Sequence, residues 1–249
     1  MQTIISEIRS QLAANADEQT AQSNQRFFKN SVKCYGVKAK SVDEITKTVY
    51  KNHLKNADKN TVFELAEKLM QAEMIEEIGI GIQFVVFSDK LYEKDDIRFF
   101  EHLIEKYITN WATCDSFCNH AVGELVIKFP EHIEILKRWA KSENLWLRRA
   151  AAVSLIIPAR KSLFLSDILE IAETLLLDRE DMVQKGYGWM LKAASLTETF
   201  VKADTETKKK HFEGVFNFVM KHKAVMPRTS LRYAIEKFPE KEKRICMEK

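Results

Sequence analysis

Glycine and proline are scarce in this chain, at 7 and 4 of 249 residues. That shortage removes most of the turn chemistry a many-stranded β fold needs, so the expectation moves to all-α. Long apolar runs are missing as well. The most apolar stretch, IGIGIQFVVF from 78 to 87, is too short to span a bilayer and is interrupted by Gln83. The amino-terminal MQTIISEIRSQLAANADEQ has neither a basic start nor an apolar block, so it does not read as a secretory signal. A soluble, cytoplasmic chain with no membrane partner is expected. Cysteine is rare too: Cys34, Cys114, Cys118 and Cys246 make no secreted-type framework and are expected to stay reduced. Phosphate-binding loop, serine elbow and paired-histidine metal motifs are all absent.

What the sequence has in quantity is amphipathic helix. TVFELAEKLMQAEM, DIRFFEHLIEKYI, EHIEILKRWAKSE, SDILEIAETLLLDRE and HFEGVFNFVMKH all repeat apolar residues at helical spacing. Short polar breaks such as NADKN, KFPEH, KSEN and MPRTS separate them. In SVDEITKTVYKNHLKN, Ser41 and Glu44 have the form of a capping box. No linker interrupts the series, so residues 1–249 are expected to form a single domain.

Helix after helix with short turns suggests a repeat. Trp111, Arg149, Trp189 and Arg228 lie 38, 40 and 39 residues apart, close to the length of a HEAT-type helix pair. The expected architecture is therefore a curved α-solenoid of HEAT-like pairs whose equivalent helices line one concave, DNA-binding face. Charge supports an anionic partner. From Lys185 to Lys249 there are 15 Lys/Arg against 8 Asp/Glu, a surplus of +7. A chain of net charge +3 then carries −4 over its first 184 residues. A basic end of this kind displaces the counterions of nucleic acid, although a solvated helical surface carries the same signature.

The stretch ITNWATCDSFCNHAV, residues 108–122, sets an acid four residues after a tryptophan, on the same face of one helix. One explanation is a core indole beside an acid that caps a helix or complements its dipole. Trp139 and Trp146 read as packing residues. Cys114 and Cys118 lack the second pair that a zinc site requires and read as buried helix thiols.

Three strings in order, NWATCDSF, NLWLRRAAAVS and VQKGYGWMLK, resemble the AlkD-type DNA alkylation repair glycosylases, and QRFFKNSVKCYGV extends the likeness toward the amino terminus. That family is built of HEAT-like repeats and removes alkylated purines from DNA. The resemblance implies that Asp115 is the catalytic carboxylate, with Trp111 and Trp189 as its two groove tryptophans. It puts the family's arginine on Arg149, with Arg148 adjacent. Phe27 stands where a tyrosine is expected, which removes a hydroxyl contact. Lys192 stands where an arginine is expected, which keeps the charge and loses the bidentate fork. The expected DNA-binding set is Phe27, Lys29, Arg148, Arg149, Lys185, Lys192, Arg228 and Arg232. Gly186 and Gly188, flanking Tyr187, are expected to let another backbone approach.

The chemistry implied is economical. A purine alkylated at N3 or N7 carries formal positive charge, so it leaves as a neutral base without a general acid. Positive charge builds instead on the deoxyribose, where a fixed carboxylate stabilises an oxocarbenium-like transition state. Indole faces add attraction for the cation and exclude water. The expected function is a monomeric glycosylase acting on double-stranded DNA that contains alkylated purines, with no metal or organic cofactor. It would sit at the nucleoid when bound. A non-catalytic helical scaffold that binds DNA or protein is the alternative, and Asp115 separates the two.

Overall fold

The computed structural model describes residues 1–196 and 204–248. Within them the fold is all-α, as expected. No β-strand forms, and Lys33 and Met74 make only an isolated bridge. The chain divides into two compact units, Met1–Phe117 and Cys118–Lys249, with the division falling inside a helical run rather than at a linker. Among the described residues no helix is long and apolar enough to cross a membrane.

The first unit comprises α1 (Gln2–Ala14), α2 (Glu18–Gln25), α3 (Ala39–Val49), α4 (Lys59–Met70), α5 (Ile75–Phe87), α6 (Asp96–Tyr107) and α7 (Trp111–Phe117). Side-chain caps begin several of them: Asp17 accepts from Thr20 N at 2.7 Å and Asp58 from Thr61 N at 3.0 Å. The Ser41 capping box does not form. Ala39 and Lys40, both good helix formers, start α3 earlier, which moves Lys38 to the cap position and Ser41 into the first turn. Ile8, Leu12, Val49, Leu65, Leu69, Phe84 and Phe100 fill the core with no exposed surface. Within it α5 crosses close to α4, since a Cβ on Gly81 would meet the Ala66 carbonyl oxygen at 2.6 Å.

Two acids at the start of α5 fasten the segment that leads into α3. The Glu76 carboxylate, 6% exposed, accepts from the backbone N–H groups of Tyr35, Gly36 and Val37 at 3.0, 2.9 and 3.2 Å. Glu77 accepts from Arg9 Nε at 3.0 Å and from the Tyr35 hydroxyl at 2.8 Å. Buried carboxylates persist only with partners of this kind.

The second unit opens with a π-helical turn, Cys118–Val122. It continues through α8 (Gly123–Lys128), α9 (Ile133–Trp139), α10 (Leu145–Val153), α11 (Ile156–Arg160), α12 (Leu165–Thr174), α13 (Asp181–Ser195), α14 (Thr205–His222), α15 (Arg228–Ala234) and α16 (Glu240–Met247). Trp139 is buried in this core, as the sequence suggested, while Trp146 is half-buried. α13 is central and packs against α10, α11, α12, α14 and α15. In the basic stretch 202–211, Lys202 and Ala203 lie outside the described residues. Asp204 caps α14 through Thr207 N at 2.7 Å, and Lys208 to Lys210 belong to that helix.

Candidate functional site

α7 explains how an acid and an indole come to share a surface. Asn110 supplies the cap: its Oδ1 accepts from Thr113 N at 3.1 Å, and its carbonyl accepts from Cys114 N at 3.2 Å. Thr113, Cys114 and Phe117 form the buried face, and the Phe117 ring meets Phe100 edge-on at 5.2 Å between centroids. Full burial of one such phenylalanine contributes about 1.5–3 kcal/mol. The remaining face carries Trp111, Ala112, Asp115 and Ser116, all half-exposed. Asp115 is the fifth residue of the helix, and Asn110 already serves as its cap, so capping does not account for the acid.

The indole is held in place from the loop after α2. Trp111 Nε1 donates to the Phe27 carbonyl oxygen at 3.1 Å, and Phe28 stacks on the indole at 5.9 Å with an interplanar angle of 27°. Phe28 therefore takes the packing role beside Trp111. The Phe27 ring stands out into solvent, 67% exposed, with the exposed Lys29 two residues on. The Asn110 cap was readable in TNWATC. Nothing in FF indicated which phenylalanine would turn inward.

The candidates of the second unit fall into two groups. On α13, Val183, Tyr187, Met190, Leu191 and Ala194 form the core face, and Lys185, Trp189 and Lys192 follow one another at i+4 and i+3 along a half-exposed stripe. The Tyr187 hydroxyl donates to the Leu176 carbonyl at 3.0 Å and lies 2.6 Å from the Ser230 hydroxyl. Burial pushes its pKa up to about 12, so it remains neutral. Gly188 does admit another backbone: a Cβ there would meet the Ser230 carbonyl oxygen at 2.8 Å. Gly186 makes room for a side chain instead, with its Cβ position 3.4 Å from Arg149 Cγ.

The cations of the stripe have protein partners. Lys185 pairs with Asp181 at 2.7 Å, one turn away. Lys192 pairs with Glu236 at 2.8 Å and lies 5.6 Å from the centre of the Tyr233 ring. That hydrogen bond from Lys192 holds the Glu236 carboxyl below the usual carboxylate range. Arg228 and Arg232 differ. They occupy one exposed face of α15, and among the described residues neither has an ion pair.

Arg148 and Arg149 are directed inward. Arg148 Nε and Nη2 donate to the two oxygens of Asp178 at 2.6 and 3.4 Å, and Nη1 donates to the carbonyls of Ser142 and Glu143 at 3.0 and 2.9 Å. The expectation that Arg148 binds DNA is corrected accordingly, because its fork is spent on the turn before α13 and the loop before α10. Arg149, 4% exposed, donates through Nη1 to the Met182 carbonyl oxygen in the first turn of α13. Its surface contribution is correspondingly small.

The 38–40-residue interval does place each of its four residues on a helix, but at different points along it. Trp111 and Arg228 open their helices, Arg149 is fifth in α10 and Trp189 ninth in α13. Helices of unequal length explain why a near-constant interval does not give a constant register. All four cysteines are unbridged, with Cys114 and Cys118 buried. Among the described residues no three His, Cys, Asp or Glu side chains gather as metal ligands.

Residues 8–238 match the family model described as DNA alkylation repair enzyme, and the chain belongs to that family. Solved structures share the fold. The predicted DNA alkylation repair enzyme from Enterococcus faecalis aligns with a TM-score of 0.75 at 15% identity, over 91% of this chain and 98% of that one. AlkD2 from Streptococcus mutans aligns with a TM-score of 0.51 at 19% identity, over 85% and 98%. No curated protein matches. Identities this low establish common architecture and leave the reaction to be argued from the residues.

Proposed function

We propose that the protein is a monofunctional DNA glycosylase that hydrolyses the N-glycosidic bond of N3- or N7-alkylated purines in duplex DNA. The observation that carries this reading is the exposed face of α7, where Asp115 follows the anchored indole of Trp111 by one turn on a helix whose cap is supplied by Asn110. As the glycosidic bond breaks, its electron pair moves to the base nitrogen and cancels the formal positive charge there. Water adds to the sugar carbon that the base leaves and loses a proton. Asp115 stabilises the transient sugar cation and orients that water, while Trp111 presents an aromatic surface to the same cation. Trp189 is the second unit's aromatic contribution to the duplex. The protein acts as a monomer, in the cytoplasm, without metal or organic cofactor.

Substrate charge tests the mechanism. Release of 3-methyladenine and 7-methylguanine from methylated duplex DNA should greatly exceed release of uracil from a U-containing duplex. Uracil is a neutral lesion that needs protonation or strong hydrogen bonds to depart, and Asp115 offers neither. Comparable rates on both substrates would dismiss the carboxylate–cation mechanism.

DNA is held, in this proposal, by Phe27 and Lys29 of the first unit and by Lys185, Lys192, Arg228 and Arg232 of the second. Phosphate contacts of this sort position the duplex without reading its sequence. The unpaired arginines should contribute most, because Lys185 and Lys192 must first exchange Asp181 and Glu236 for phosphate. Arg228→Ala and Arg232→Ala are each expected to reduce the slope of log affinity against log salt by about 1. Fluorescence anisotropy on undamaged duplex measures this, and an unchanged slope in the double variant would remove α15 from the DNA-binding surface.

A further inference from the structure

Next to the Asp115 face, and wholly within the first unit, lies a cleft of about 480 Å³ between α2, α3, α5 and α7. Its size falls within the roughly 300–1,000 Å³ of small-molecule sites. Ser116, the residue after Asp115, forms part of its wall. Three features of the cleft call for an occupant.

The first is Gly79. Glycine is disfavoured in the interior of a helix, and Gly81 on the same helix is explained by the close approach of α4. Gly79 has no such reason: a Cβ there meets nothing within 4 Å, and the residue opens onto the cleft. The second is unused hydrogen-bonding capacity. Gln83 Nε2 reaches Ser116 Oγ only at 3.5 Å, beyond the usual range, and the Asn24 amide makes no hydrogen bond among the described residues. The third is the charge of the wall, where Lys38 faces two acids, Asp43 and Glu76. A phosphate is unwelcome beside that pair, whereas a neutral or cationic ring is not.

We propose that this cleft is a purine-base site, and in particular one that takes the flat heterocycle of an alkylated purine. Val37, Val42 and Ile75 supply apolar surface for its faces, and Asn24, Gln83 and Ser116 supply amide and hydroxyl groups for its edge. The assignment deepens the glycosylase reading and rests on it for the origin of the base. It gives the departing base a place adjacent to the face where the bond is cleaved.

Calorimetry with free 3-methyladenine and with adenosine monophosphate as probes, using the full chain, tests it. The free base is expected to bind and the nucleotide to bind at least about tenfold more weakly, because its phosphate meets Asp43 and Glu76. Gly79→Leu fills the cleft from a helix position with open space, so it should melt no lower than wild type yet weaken base binding by about tenfold or more. Gln83→Ala should weaken it less. Asp115→Asn should leave base binding unchanged while losing excision.

Competition identifies the source of the ligand. If free 3-methyladenine slows single-turnover excision, the cleft receives the base delivered by the duplex. If it binds without slowing excision, the cleft is a purine site for free base. Undetectable base binding, or equal binding by wild type and a folded Gly79→Leu, overturns the assignment even if excision still depends on Asp115. Excision that is independent of Asp115 instead removes the glycosylase reading and leaves the binding result to decide the cleft.

Discussion

Asp115→Asn should reduce the release of 3-methyladenine from methylated duplex DNA by at least about 10²-fold, the usual cost of deleting one preorganised electrostatic contact to a developing charge. That factor corresponds to about 2.7 kcal/mol of transition-state stabilisation, at 1.36 kcal/mol per decade. The amide keeps the size and shape of the carboxylate, so packing on α7 is preserved. Asn110 still caps the helix, and Thr113, Cys114 and Phe117 still anchor it, so folding should be unaffected. DNA affinity should hold or rise slightly, because an anion has been removed from a surface that meets phosphates. Loss of turnover with retained binding is the outcome expected of a group that interacts with the sugar cation alone. Equal base release by the variant and wild type would exclude Asp115 from the chemistry and leave a helical module that binds DNA without cutting the glycosidic bond. Single-turnover kinetics with enzyme in excess, paired with anisotropy on the same duplex, separates the two results.

The all-α architecture was legible because helical periodicity is local: every turn of α4, α6, α12 and α14 repeats the signal. The pairing of Trp111 with Asp115 was legible for the same reason, since i and i+4 are neighbours on any helix. The prediction that another backbone would approach Gly188 also held, and Ser230 is the residue that uses the space. What the sequence concealed depends on distant partners. Arg148 looks like a surface cation in LWLRRAAAV, and only the fold brings it to Asp178, 30 residues on in a turn. Lys192 reaches Glu236 across 44 residues. The division between Phe117 and Cys118 has no compositional signature either, because it falls in a helical run rather than at a flexible linker. The cleft at Gly79 escaped notice since an isolated glycine in a helical pattern most often reports close packing, as it does two residues later at Gly81.

Arg148→Ala should lower the melting temperature by roughly 6–12 °C. The reasoning begins with what the guanidinium satisfies. It donates to both oxygens of Asp178, whose side chain is only 8% exposed, and to the backbone carbonyls of Ser142 and Glu143. Asp178 in turn accepts from Glu180 N at 2.9 Å, and its carbonyl accepts from Gln184 Nε2 at 2.9 Å, so the pair sets the turn that launches α13. Truncation leaves a nearly buried carboxylate with one remaining donor, together with two carbonyls that have lost theirs. Breaking a buried pair from one side costs about 3–5 kcal/mol, and the low end applies here because Arg148 retains 18% of its side-chain surface. In a chain of this size each kcal/mol moves the melting point by about 2–4 °C, which gives the stated range. Arg148→Lys should recover only part of the loss, since a single ammonium cannot make both the bidentate contact and the two carbonyl bonds. Asp178→Asn should also destabilise, and the double variant should cost less than the sum because both changes remove one interaction. A surface arginine reserved for DNA would behave in the opposite way: its alanine variant would melt with wild type and lose about one unit of salt slope. A thermal melt beside a salt titration therefore decides whether Arg148 serves the fold or the duplex.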